Sequence, residues 1–165
     1  MVFVYFLFVL IIIADQLSKF FIFGLPSKSI IGDLLWFQSE KNTGAAFSMF
    51  SGNNIAFIII TSIACIILFY VLFSKNLMTK KLEKIALSLV LGGAISNLID
   101  RIIYAYVRDF IYLKFINFAV FNVADMAITI GAILLIISIL FLQKKDVKND
   151  WIKFRIKCSR PWWEN

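Results

Sequence analysis

Four long apolar runs, Val2–Phe23, Ile55–Phe73, Ile85–Tyr106 and Val120–Leu142, leave this chain little choice of fold. At about 1.5 Å per helical residue, each is long enough to cross a hydrocarbon core of about 30 Å. Hydrophobic residues make up 61% of the 165, against roughly half in a soluble domain. The expected fold is an all-α integral membrane protein, a four-transmembrane-helix bundle over residues 1–142. A long extracytoplasmic loop region leaves room for a small sheet and an interfacial helix, and residues 143–165 form a basic cytoplasmic tail. The opening "MVFVYFLFVLIIIA" has no basic n-region and no small-x-small cleavage site, so it is read as a retained span.

Charge orients the bundle. Lys75, Lys80, Lys81 and Lys84 against Glu83 give +3, and the tail from Lys144 gives +4, which accounts for the whole formal +7. Basic residues near span ends favour the cytoplasmic side. The loop, the tail and both termini are therefore placed there, with the tail, ending in "RPWWEN", against anionic lipid. Cys65 in the second span and Cys158 in the tail lie in unlike places and are not expected to pair. The chain has no histidine, which excludes histidine metal ligands and Ser-His or Cys-His catalysis. No metal or cofactor is expected.

That orientation gathers the polar residues. Asp15, Lys19, Asn97, Asp100 and Arg101 fall late in spans one and three, and Asn122 and Asp125 at the start of span four. Asp109 lies just beyond span three, and Asn42 in the outer connection 24–54. Every intramembrane charge is thus expected at the outer leaflet. A charge in mid-bilayer costs on the order of 3 kcal/mol, so such residues face a bundle interior and mark function. Asn97, Asp100 and Arg101 share one helix face, as do Asn122 and Asp125; Asp15 and Lys19 form an i,i+4 pair with the acid first. Structural support accounts equally well for Asp15, Lys19, Asp100 and Arg101.

Asp109 and Asp125 lack a basic partner at helical spacing, and Arg108 is expected to point away from its neighbour. Brought together in a partly dry site, two carboxylates cannot both stay ionised and share a proton. One can then deprotonate a water while the other polarises an amide carbonyl. A proton relay or an ion pathway fits the spacing equally well. The thirty-residue connection favours an enzyme, because a segment of that length suits a lid over an extended peptide. Within it "IIGDLLWF" is apolar enough to lie on the bilayer, with Trp36 at headgroup level, and "NTGAAFS" allows close backbone approach. Inner span halves that are almost purely apolar argue against transport, and a scaffold does not explain a clustered acid, amide and arginine set.

The motifs "DQLSK" (15–19), "NTGAAFS" (42–48), "GGAISNLIDR" (92–101), "VRDF" (107–110) and "FNVADMAI" (121–128) stand in an order and spacing that resembles the prolipoprotein signal peptidases, or signal peptidase II. The resemblance covers residues 1 to about 142. It implies a bacterial inner-membrane aspartic endopeptidase that cuts diacylglyceryl-modified prolipoproteins before the lipidated cysteine, with its active site near the periplasmic leaflet and globomycin-type inhibitors. By the same resemblance Asp109 and Asp125 are the catalytic pair. Asn42, Asn97, Arg101 and Asn122 line the substrate pocket, and Asp15, Lys19 and Asp100 support it. Two residues depart from the family pattern. Ser96 stands where glycine is frequent, with looser helix contact expected. Arg108 stands where a small or apolar residue is common, with an effect on Asp109 expected.

Overall fold

The computed structural model describes residues 2–44, 53–74 and 80–143. The tail with Cys158 and "RPWWEN", Lys75, and residues 45–48 of the "NTGAAFS" motif lie outside the described residues. Four long helices dominate: α1 (Val2–Ile22), α2 (Asn54–Phe73), α3 (Lys81–Tyr104) and α4 (Val123–Ile137), the last continuing as a π-helical turn, Ser138–Gln143. Three of them, α2, α3 and α4 through Phe141, are long and apolar enough to cross a membrane.

Helix α3 is the hub, packing against α1, α2 and α4. Lipid-soluble helices gain no hydrophobic drive from one another, so close backbone approach through small residues must hold them. A Cβ added to Gly92 would lie 2.7 Å from the Phe8 carbonyl oxygen of α1, and one on Gly93 would collide with the Ala124 carbonyl oxygen of α4. Those glycines set both contacts. Helix α2 is more loosely held. It contributes Cys65 and Leu72 to a cluster with Leu87 and Leu91, while Ile55, Ile59, Ile63 and Ile66 stay exposed. Such a surface suits acyl chains rather than water.

The outer connection folds in large part as a sheet. Strands β1 (Lys28–Ile31) and β2 (Leu35–Asn42) make a hairpin, and β3 (Val107–Leu113) pairs antiparallel with β2 to give the order β1-β2-β3. The expected small sheet is present, whereas the described part of the connection holds no interfacial helix. "IIGDLLWF" is the hairpin's reversal, with Gly32 at φ +47°, a left-handed turn that glycine adopts without strain.

Three span boundaries also shift. Helix α3 stops at Tyr104 because Ala105 takes a left-handed C-cap at φ +63°, so the chain turns into β3 before Asp109. It also starts at Lys81 rather than 85, which places Glu83 and Lys84 inside the helix, 5% and 6% exposed. The expectation that buried charge gathers at one end of the bundle is therefore corrected: Ser138 Oγ donates to Glu83 Oε1 at 3.0 Å at the other end. Helix α4 begins at Val123, not Val120, because Asn122 caps it.

Candidate active site

Adjacent residues on a strand point to opposite faces, and β3 uses this to separate Arg108 from Asp109. The Asp109 side chain turns towards β2 and α4. Its Oδ2 accepts from Asn42 Nδ2 at 3.0 Å and its Oδ1 from Asn122 Nδ2 at 2.6 Å. Asp125 occupies the third position of α4, where its Oδ2 accepts from the Asn122 backbone N–H at 3.2 Å while its own N–H donates to Asn122 Oδ1 at 2.9 Å. This reciprocal capping box fixes the first turn. Asp125 Oδ1 also accepts from Asn97 Nδ2 at 2.8 Å. One residue, Asn122, thus donates to both carboxylates, through its side-chain amide to Asp109 and through its backbone N–H to Asp125. It is a cap rather than a residue on the helical face of Asp125, which corrects the i,i+3 reading.

Asp109 is 1% exposed. Burial, and next the negative charge of Asp125, push its pKa from 3.8 up to about 7, against the opposing hydrogen bonds from Asn42 and Asn122. The two acids therefore sense each other. Both line a cleft of about 860 Å³ whose walls come from α2, α3 and α4. Its polar lining includes Asn42, Asn97 and Arg101; the apolar walls include Ile60, Leu68, Val90 and Ile130. Asn122 is fully buried behind the carboxylates instead of on the wall.

The remaining residues expected at the site form the layer beneath it. Lys19, fully buried, donates to Asp15 at 2.6 Å, Asp100 at 3.1 Å and Asn97 Oδ1 at 3.1 Å, so its three N–H donors have three partners. Asp100 is paired not with its neighbour Arg101 but with Arg108, whose Nη2 lies 2.7 Å from Asp100 Oδ1. Arg101 instead donates to the Gly44 carbonyl at 2.5 Å, and its guanidinium carbon lies 4.5 Å from the centre of the Phe57 ring. Asn54 Nδ2 in turn donates to the Arg101 carbonyl oxygen at 3.1 Å. The Arg101 side chain ties the connection and α2 to the cleft. Among the described residues no cluster of acidic or thiol side chains could hold a metal ion.

Sequence reasoning passed over Gln16 and Asn54, and it undervalued Ser96. Gln16 Nε2 donates to the Ser96 carbonyl and hydroxyl oxygens and to Asp100 Oδ1 at 3.0–3.1 Å. The Ser96 hydroxyl donates to Asp15 Oδ2 at 2.7 Å. The available signal was a neutral polar side chain inside an apolar span, which must find a partner.

The family model described as signal peptidase (SPase) II, Peptidase_A8, matches residues 7–141. A lipoprotein signal peptidase of Lactobacillus johnsonii is 43% identical over 141 residues, covering 83% of this chain and 91% of its own. One of Clostridium tetani is 42% identical over 124 residues, covering 73% and 77%. A bacterial membrane enzyme solved by the in meso method at 2.3 Å resolution superposes with a TM-score of 0.79 at 36% identity, covering 90% of this chain and 92% of that one.

Proposed function

This chain belongs to the signal peptidase II family of peptidases and is a multi-pass membrane protein, and on that premise we propose that Asp109 and Asp125 are its catalytic pair. The observation that carries the reading is a shared residue: Asn122 donates to both carboxylates, by its side chain to the one on a strand and by its backbone N–H to the one on a helix, at the end of an apolar cleft. With Asp109 raised to about 7, the pair keeps one proton at neutral pH. The ionised partner removes a proton from water as the oxygen attacks the scissile amide carbonyl. The protonated partner donates a hydrogen bond to the carbonyl oxygen, which takes the developing negative charge.

The substrate is a diacylglyceryl-modified prolipoprotein, cut before its lipidated cysteine. Its acyl chains enter sideways between α2 and α4, where the cleft walls are apolar, and the signal peptide lies extended against the site. Asn42, Asn97 and Arg101 contact the peptide; Asp15, Lys19 and Asp100 hold the layer below. Helix α1 is the fourth span of a domain covering residues 1–142. Both termini are cytoplasmic in the bacterial inner membrane, residues 143–165 form a lipid-contacting tail, and the site lies near the outer leaflet. A globomycin-type cyclic lipopeptide blocks the same cleft.

The test uses purified protein with lipidated and unlipidated forms of one prolipoprotein, read on a gel. Asp109→Asn and Asp125→Asn are expected to insert normally and to lose processing, and only the lipidated form is cut by the wild type. Cleavage by either variant at near the wild-type rate sinks the dyad.

A further inference from the structure

The two departures from the family pattern, Ser96 and Arg108, belong to one hydrogen-bonded chain. Arg108 Nη2 donates to Gln16 Oε1 at 2.8 Å. Gln16 Nε2 donates to the Ser96 hydroxyl at 3.0 Å, and that hydroxyl donates to Asp15 Oδ2 at 2.7 Å. The other oxygen of Asp15 accepts from the Ala124 backbone N–H at 2.9 Å. The chain starts one residue before Asp109 and ends one residue before Asp125. It runs behind the cleft through α1 and α3, and neither Arg108, Gln16 nor Ser96 lines the cleft wall.

We propose that Arg108 and Ser96 are positioning residues, two links of a strap that sets where the Asp109 carboxylate stands relative to that of Asp125. The inference rests on the proposed dyad. Its components are well held. Asp100 accepts from the Arg108 backbone N–H at 2.9 Å as well as from the side chain, and the guanidinium carbon sits 4.5 Å from the centre of the Tyr104 ring. A planar fork satisfying an acid, an amide and a ring face at once is a task that arginine suits and lysine does not. Ser96 is fully buried, so its hydroxyl can act as relay only because both its donor and its acceptor sides are engaged.

The test is steady-state cleavage of a lipidated prolipoprotein by the full-length protein carrying Arg108→Gln, Ser96→Ala, or both. Since small displacements of reacting groups cost rate, each single change is expected to lower kcat by about tenfold. KM should move by less than about twofold, because substrate touches neither residue. The double variant should fall no further than the worse single one, since both cut the same strap. Arg108→Lys should recover part of the loss. Should Arg108→Gln fail to fold, Gln16→Leu cuts the middle link and spares the Arg108–Asp100 pair, with the same expected loss. Wild-type kcat in the folded single variants, losses that multiply in the double, or a rise in KM alone overturns the strap. Asp109→Asn in the same preparation separates the two ideas. An inactive Asp109→Asn beside fully active strap variants overturns the strap alone, whereas an active one removes the dyad and the strap with it.

Discussion

The two ends of α3 both bury polar side chains in an apolar bundle, yet they do so in different ways. At its C-terminal end, Asp15, Lys19, Asn97, Asp100, Asp109, Asn122 and Asp125 bond to one another across α1, α3, β3 and α4, and three of them reach a cleft. At its N-terminal end, Ser138 serves Glu83, and the Ser88 hydroxyl bridges the Val4 and Lys84 carbonyl oxygens at 2.8 Å. None of Glu83, Lys84, Ser88 or Ser138 lines the cleft. Buried polarity alone therefore does not mark a site. What separates the ends is that one holds two acids whose charges oppose each other beside an open cavity, while the other ties helices together. A buried like-charge pair beside a cavity strains the fold rather than tying helices, whereas a hydroxyl on a carboxylate ties them.

The largest expected effect breaks the comparison at its most informative point. Asn122→Ala removes the donor to Asp109 and the cap of α4 together. The lost cap costs about 1 kcal/mol of stability, but the misplaced carboxylates should lower kcat by about a hundredfold. Cleavage kinetics of a lipidated prolipoprotein, run beside a thermal unfolding scan, read the two effects apart. A variant that cleaves normally while melting lower would reduce the C-terminal end of α3 to the same structural role as the other end.

A second, smaller effect is the dependence on pH. The folded chain holds the Asp109 proton up to about 7, whereas the ordinary value is 3.8. Between those values the folded state binds more protons than the unfolded one, so this group's contribution to stability is full below about 4 and declines as pH rises to about 7. Activity should follow the same group. If the pair works with one proton, kcat/KM falls by about tenfold per pH unit once pH exceeds about 7. A profile that stays flat from pH 6 to 9 would contradict the shared proton. The unfolding midpoint measured over the same range checks the stability half.

How far the residues announced all this depends on the range of the interaction. The long helices were legible because an apolar run of twenty residues has few other uses. The gathering of Asp15, Asn97 and Asp125 was legible because helix ends lie a fixed distance along the membrane normal. Partners fixed by a strand were not. Asp109 faces Glu40 and Arg108 faces Lys41 across the β2–β3 ladder, a register that two short segments of mixed polarity do not encode by periodicity. Arg108 reaches Asp100 because Ala105 reverses the chain between them, and alanine gives no warning of a left-handed cap. Glu83 and Lys84 looked like loop charges because helix ends in a basic stretch carry no apolar signal. Ser96 looked like a poor glycine until its hydroxyl had two partners.

The smallest expected effect sharpens the comparison from the other side. Ser138→Ala leaves Glu83 Oε1 without its donor in a buried setting. An unmet buried acceptor costs about 1–3 kcal/mol, so the unfolding midpoint in detergent should drop. The Ser138–Glu83 contact joins α4 to α3 at the end remote from Asp125, beyond Gly131, whose backbone closely approaches the Ala86 carbonyl. Distortion at Ser138 should consequently stop at that contact, and kcat and KM should stay at wild-type values. Loss of kcat in this variant without loss of stability would mean that the far end of the bundle is coupled to the dyad. The distinction between a helix tie and a reacting pair would then not hold along α4.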